Sequence, residues 1–227
     1  MPYLIRSSTA GLFESLNRMS RLPQRSIKRT TQGCLNNVDY YDIFLSKGDV
    51  VNTRGLNIKD GCELRQINNE LGLVNMQEEA LTYYCDYVNL NVIANIRDVK
   101  RPTIKRPVEL FCIYQSLVWR LFDDVLSPKQ FVKNVMFYHF LNNNTCLISD
   151  SYQTVQGKRL WINAINSAFE NNLYVYCLVN EVRQNDKITS DLYPLEKKHK
   201  NALIQQAWYG PKSKDIRILI SRKRLAS

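Results

Sequence analysis

Beyond Pro107 the chain alternates short apolar runs with longer amphipathic ones, and this alternation restricts it to a sheet with helices packed on it. VELFCIYQ and LVWRLFDDV read as strands. SPKQFVKNVMFYHFLNN reads as a helix, with Ser127 as its N-cap and Pro128 in its first turn. NTCLIS is a short buried strand. GKRLWINAINSAFENN is a helix with Leu160, Trp161, Ala164, Ile165 and Ala168 on one face, and LYVYCLV is a further strand. A last helix runs through EKKHKNALIQQAW, Gly210–Pro211 turns the chain, and DIRILIS closes as a strand. The expected class is α/β (α+β), a mixed sheet with flanking helices.

Upstream the pattern is weaker. Residues 31–75 mix Gly, Asn and Asp with short apolar runs, which predicts hairpins and loops. QEEALTYYCDYVNLNVI opens on two acids and places Leu81, Tyr84, Cys85 and Val88 at helical spacing, which predicts a helix. Its tyrosines suit core packing, and stacking on bases is the other use of such rings. RDVKRPTIKRP, residues 97–107, reads as an exposed basic connector. Near the N-terminus Leu12, Phe13, Leu16 and Met19 recur at near-helical spacing up to Pro23, giving a short basic amphipathic helix. The chain therefore divides into an arm over 1–30, a part of undetermined structure over 31–106, and an α/β domain over 107–227.

Charge is concentrated at the two ends. The net charge is +10, and residues 1–30 and 212–227 each carry six basic residues against one acid, so the middle is neutral. Basic ends of this kind bind phosphate backbones through counterion release, or an acidic protein surface equally well. The candidate contacts are Arg18, Arg21, Arg25, Lys28 and Arg29 in the first arm and Arg222, Lys223 and Arg224 at the other end. No run approaches the length of a membrane span.

The six cysteines stand far apart, with no CxxC and no histidine at ligand spacing, so no metal site is expected. Cys85, Cys112, Cys146 and Cys177 lie in apolar runs and read as buried free thiols in a reducing compartment. His139 falls on the apolar line of its helix, and His199 sits in the solvated run KKHK. Asp123 and Asp124 with Asp150 form the one carboxylate grouping that a metal-dependent nuclease could use. Dinucleotide, P-loop and α/β-hydrolase motifs are absent.

The run from Leu117 to Asn180, above all CLISDSYQTVQGKRLWINAI followed by LYVYCLV, resembles the C-terminal half of GNAT-superfamily N-acetyltransferase-like proteins carried by bacteriophages. The resemblance implies that Ser127, Lys129, Gln130, Phe131 and Val132 form the acyl-CoA loop, with Gln153, Thr154, Gly157, Leu160 and Trp161 in the following turn and helix. That loop has no glycine, and Pro128 lacks an N–H, so fewer amides face a pyrophosphate. The expectation is a degenerate, non-catalytic fold without cofactor, serving as a virion-associated or nucleic-acid-contacting protein in the virion or the host cytoplasm. The alternative is an active N-acyltransferase using acetyl-CoA, with Asp123, Asp124 or Tyr152 moving the proton.

Overall fold

The computed structural model describes residues 4–5, 37–97, 105–120, 130–141, 145–149, 155–184, 187–209 and 216–225. They fall into two compact units, one drawn from 4–86 and 118–131, the other from 87–117 and 132–227.

The first unit is an antiparallel meander with one helix. Strands β2 (Asp49–Val50), β3 (Cys62–Ile67) and β4 (Glu70–Asn75) pair in order with the start of β5 (Ala80–Arg97). The turn between β3 and β4 is only Asn68–Asn69, and Asn68 takes the left-handed conformation that asparagine tolerates. In the next turn the Asn75 side-chain oxygen accepts from the amides of Gln77 (3.0 Å) and Glu78 (3.2 Å). Two-residue β1 (Leu4–Ile5) pairs in parallel with Val118 and Trp119 of β6 (Lys105–Arg120).

Helix α1 (Asn37–Lys47) lays Tyr41 and Phe44 onto Val74 and Leu81. Gly72 makes that approach possible, since a Cβ there would lie 2.8 Å from the Phe44 ring. Arg65 closes the helix: Nη1 donates to the carbonyls of Leu45 (2.8 Å) and Gly48 (3.1 Å), while Nη2 holds Glu63 (2.7 Å). A cation on the last carbonyls of a helix meets the negative end of its dipole.

The second unit is a closed six-stranded barrel. Its order is β6, β7 (Thr145–Ile148), β10 (Ile216–Ser221), β8 (Tyr174–Gln184), β9 (Lys187–Pro194) and β5, which returns to β6. The β6–β7 and β9–β5 junctions are parallel, whereas β7–β10, β10–β8 and β8–β9 are antiparallel, so closure sets β5 antiparallel to β6. Every strand sends apolar side chains inward: Val92 and Ala94, Leu110 and Cys112, Cys146 and Ile148, Tyr176 and Leu178, Ile188 and Leu192, and Leu219. These positions alternate along each strand, as a filled barrel requires.

On the same strand face as Leu219, the buried Arg217 guanidinium donates to the Ser149 carbonyl (2.6 Å) and to Glu181 (3.0 Å) and stands over the Tyr114 ring. Outside, α3 (Val155–Glu170) packs on β8, and α4 (Lys200–Tyr209) packs on β10. Lys158 donates to the Trp208 carbonyl (2.7 Å) and Lys200 to Asn166 (2.6 Å), tying the two helices together. Helix α2 (Phe131–Asn134) continues into a π-helical segment, Val135–Phe140. There the Leu141 amide donates to the Met136 carbonyl five residues back.

The closed barrel overturns the expected GNAT-like open mixed sheet. Several elements beyond Pro107 match the reading, including the strand at NTCLIS, both long helices and the last strand. VELFCIYQ and LVWR instead belong to one continuous β6. The helix expected over QEEALTYYCDYVNLNVI is strand β5, because its β-branched and aromatic residues suit a pleated surface and Tyr83, Cys85 and Tyr87 bury with a period of two. The region expected to be loops and hairpins also contains α1.

Candidate functional site

The strand order brings two basic runs, distant in sequence, to one end of the barrel. Strand β8 starts there, flanked by the ends of β10 and β9. Ser221 lies directly across from Tyr174, Pro194 lies across from Tyr176, and the Leu195 amide donates to the Val175 carbonyl (2.9 Å). The chain leaves β10 as Arg222-Lys223-Arg224 and leaves β9 as Glu196-Lys197-Lys198-His199-Lys200. The two runs therefore flank Tyr174 on either side. Together they hold Lys197, Lys198, Lys200, Arg222, Lys223 and Arg224 against a single carboxylate, Glu196.

Local bonding fixes this end. The Ser221 hydroxyl accepts from the Lys223 amide (3.1 Å) and donates to the Lys223 carbonyl (2.9 Å), shaping the turn after β10. Arg222 donates through Nε to the Leu141 carbonyl (2.9 Å) and through Nη2 to the Phe137 carbonyl (2.8 Å). It thereby ties the last carbonyls of the π-helical turn to the end of β10. Lys198 bonds Glu196 at 2.7 Å and holds its carboxyl below the usual range, first by the hydrogen bond and then by its charge. Both groups are exposed, and such a pair adds little stability.

Three large rings are open to solvent around the same end. Tyr174 is 40 % exposed, Tyr138 is 57 % exposed, and Phe111, across β6–β7 from Thr145, is 57 % exposed. His139 is packed on the edge of Phe140, and burial lowers its pKa, so the ring is neutral at neutral pH. His199 is exposed, as its run suggested.

Of the residues singled out in the sequence, Arg222, Lys223 and Arg224 lie exposed on this surface. Arg217, part of the same C-terminal charge excess, is buried in its pair with Glu181 and belongs to the barrel interior. Arg18, Arg21, Arg25, Lys28 and Arg29, together with Asp123, Asp124, Ser127, Lys129, Asp150 and Tyr152, lie outside the described residues. Gln130 is exposed with φ +66°, whereas Phe131 and Val132 are buried, Phe131 edge-on to Tyr83 at 5.0 Å.

Lys197, Lys198 and Tyr174 were not legible as site residues. A basic run beside a helix reads as solvated surface until the strand order shows what stands next to it. Among the described residues no three His, Cys, Asp or Glu side chains stand together as a metal site, and no helix is long and apolar enough to cross a membrane.

No family model and no curated protein matches the chain. With the barrel in place of the open sheet, the GNAT resemblance fails. The bacteriophage and virion context and both functions that hung on it, a degenerate acetyltransferase fold and an active acyl-CoA N-acyltransferase, fail with it.

Proposed function

We propose that the barrel end around Tyr174 is a binding surface for the phosphate backbone of single-stranded nucleic acid. The observation that carries this reading is the convergence of Glu196–Lys200 and Arg222–Arg224 on the two sides of an exposed aromatic ring. Clustered lysines and arginines neutralise phosphates and release counterions. Exposed rings supply stacking platforms that accept any base, a pairing found where single strands are bound without sequence preference. An acidic protein surface would use the cations equally well but has no comparable use for the exposed Tyr174 ring between them. The basic residues of 1–30 add a second cationic segment to the same reading.

The test is the affinity for a labelled single-stranded oligonucleotide, followed by fluorescence anisotropy as salt is raised. The reading predicts a steep linear fall of log affinity with log salt, and weaker binding to a duplex of equal length. Binding that is insensitive to salt, or equal affinity for an acidic polypeptide of matched charge, contradicts it.

A further inference from the structure

Two of the barrel's cysteines face each other. Cys112 on β6 and Cys146 on β7 are register partners across the parallel junction, and both belong to the interior cluster. The other described cysteines do not share this arrangement: Cys62 lies half-buried on β3, Cys85 in the meander unit, and Cys177 on β8 opposite Ile218 and Tyr193. We propose that Cys112 and Cys146 form a reversible dithiol–disulfide couple inside the barrel, a modification site for small oxidants of the peroxide class.

Geometry and environment both support the couple. Directly opposed residues on neighbouring strands bring their Cβ atoms close to the separation a disulfide spans. Both side chains are buried on the same interior face of the barrel, at paired positions of adjacent strands. The neighbouring Cys112 thiol favours the thiolate of Cys146 against the opposing effect of burial, while the Cys146 sulfur and burial hold Cys112 protonated. The roles are therefore unequal, with Cys146 as attacking sulfur and Cys112 as resolving thiol. By contrast, burial alone pushes the Cys177 thiol up to about 12 and leaves it unreactive.

The chemistry closes with hydrogen peroxide as oxidant. The Cys146 thiolate attacks one peroxide oxygen, the O–O bond breaks, and the departing hydroxide takes a proton to leave as water, giving a sulfenic acid. The Cys112 sulfur then attacks Cys146 Sγ, the S–O bond breaks, and the second oxygen leaves as water carrying the Cys112 proton. Two thiols lose two electrons and two protons, and peroxide is reduced to two waters. A dithiol reductant reverses the change by thiol–disulfide exchange.

The experiment treats the reduced full-length protein with hydrogen peroxide, quenches it, blocks remaining thiols after unfolding, and reads intact mass and peptide map. The proposal predicts the loss of two hydrogens, a Cys112–Cys146 cross-linked peptide as the main product, and full recovery with dithiothreitol. In Cys112→Ser the reaction should stop at a Cys146 sulfenic acid that dimedone traps. Both thiols still alkylatable after peroxide, or a main cross-link between any other pair, overturns the proposal. The wild-type map alone decides if the variant does not fold. The readout involves no nucleic acid, so it stands apart from the binding reading above.

Discussion

Tyr174 and Ser221 are register partners across β8 and β10, and with the Tyr176–Pro194 pairing this brings the exits of β10 and β9 to the start of β8. Had β9 and β10 ended at opposite rims, Lys197 and Lys223 would lie at opposite ends of the barrel. Because both strands run antiparallel to β8, their exits flank its start.

Substitutions in the two runs should therefore act alike. Lys197→Glu with Lys198→Glu, and Lys223→Glu with Arg224→Glu, should each weaken oligonucleotide binding and reduce the log–log salt slope by about one for each phosphate no longer neutralised. Tyr174→Ala should cost about 1–3 kcal/mol of binding and leave the slope nearly unchanged, since stacking carries no counterion. A slope that responds to only one run would show that they do not serve one ligand.

Gly72→Ala should destabilise the meander unit by about 1–3 kcal/mol, because the added methyl meets the Phe44 ring and Leu81 Cδ1 in a closed core. Denaturation in urea measures the effect. An unchanged midpoint would mean that α1 can shift away from β4 at no cost.

Gln115 is buried on β6, and neither atom of its side-chain amide has a hydrogen-bond partner. Gln115→Met keeps the shape and removes the unsatisfied groups, so stability should rise by about 1–2 kcal/mol. A fall of that size would show that the amide is serving a partner in solution.

The His139 ring gives the fold an acid sensitivity of known sign. Burial depresses its pKa in the folded protein below 6.5, so the unfolded chain takes up the proton first as pH drops. Stability is fully present above the unfolded value and is lost as pH falls towards the folded one. His139→Gln should flatten the dependence of the urea midpoint between about pH 7.5 and pH 5, where the wild type declines. Equal declines in both proteins would assign the acid sensitivity to other groups.

Local structure was far more legible than closure. The apolar face Leu160, Trp161, Ala164, Ile165 and Ala168 located α3; the last four are buried and Leu160 is half-buried. The apolar runs holding Cys85, Cys112, Cys146 and Cys177 indicated buried thiols, and all four are buried free cysteines. Strand β5 misled because Leu81, Tyr84, Cys85 and Val88 satisfy a helical period, while its tyrosines, valines and isoleucines favour a strand; pairing with β4 and β9 decided between them. Barrel closure depends on the β5–β6 pairing and on which strand neighbours β8, and no local spacing records either. The candidate surface shares that dependence. Arg222, Lys223 and Arg224 stand out by charge alone, whereas the part of Tyr174 and Lys197 emerges only once β8 lies between β9 and β10.

Whether nucleic acid lies on this end of the barrel is read by photo-cross-linking a bromouridine-substituted single strand to the full-length protein and mapping the adducts by mass spectrometry. Adducts are expected on peptides carrying Tyr174 or Tyr138, and should be lost when Lys197, Lys198, Lys223 and Arg224 are replaced together. Adducts confined to residues 1–30, unaffected by those replacements, would contradict binding there.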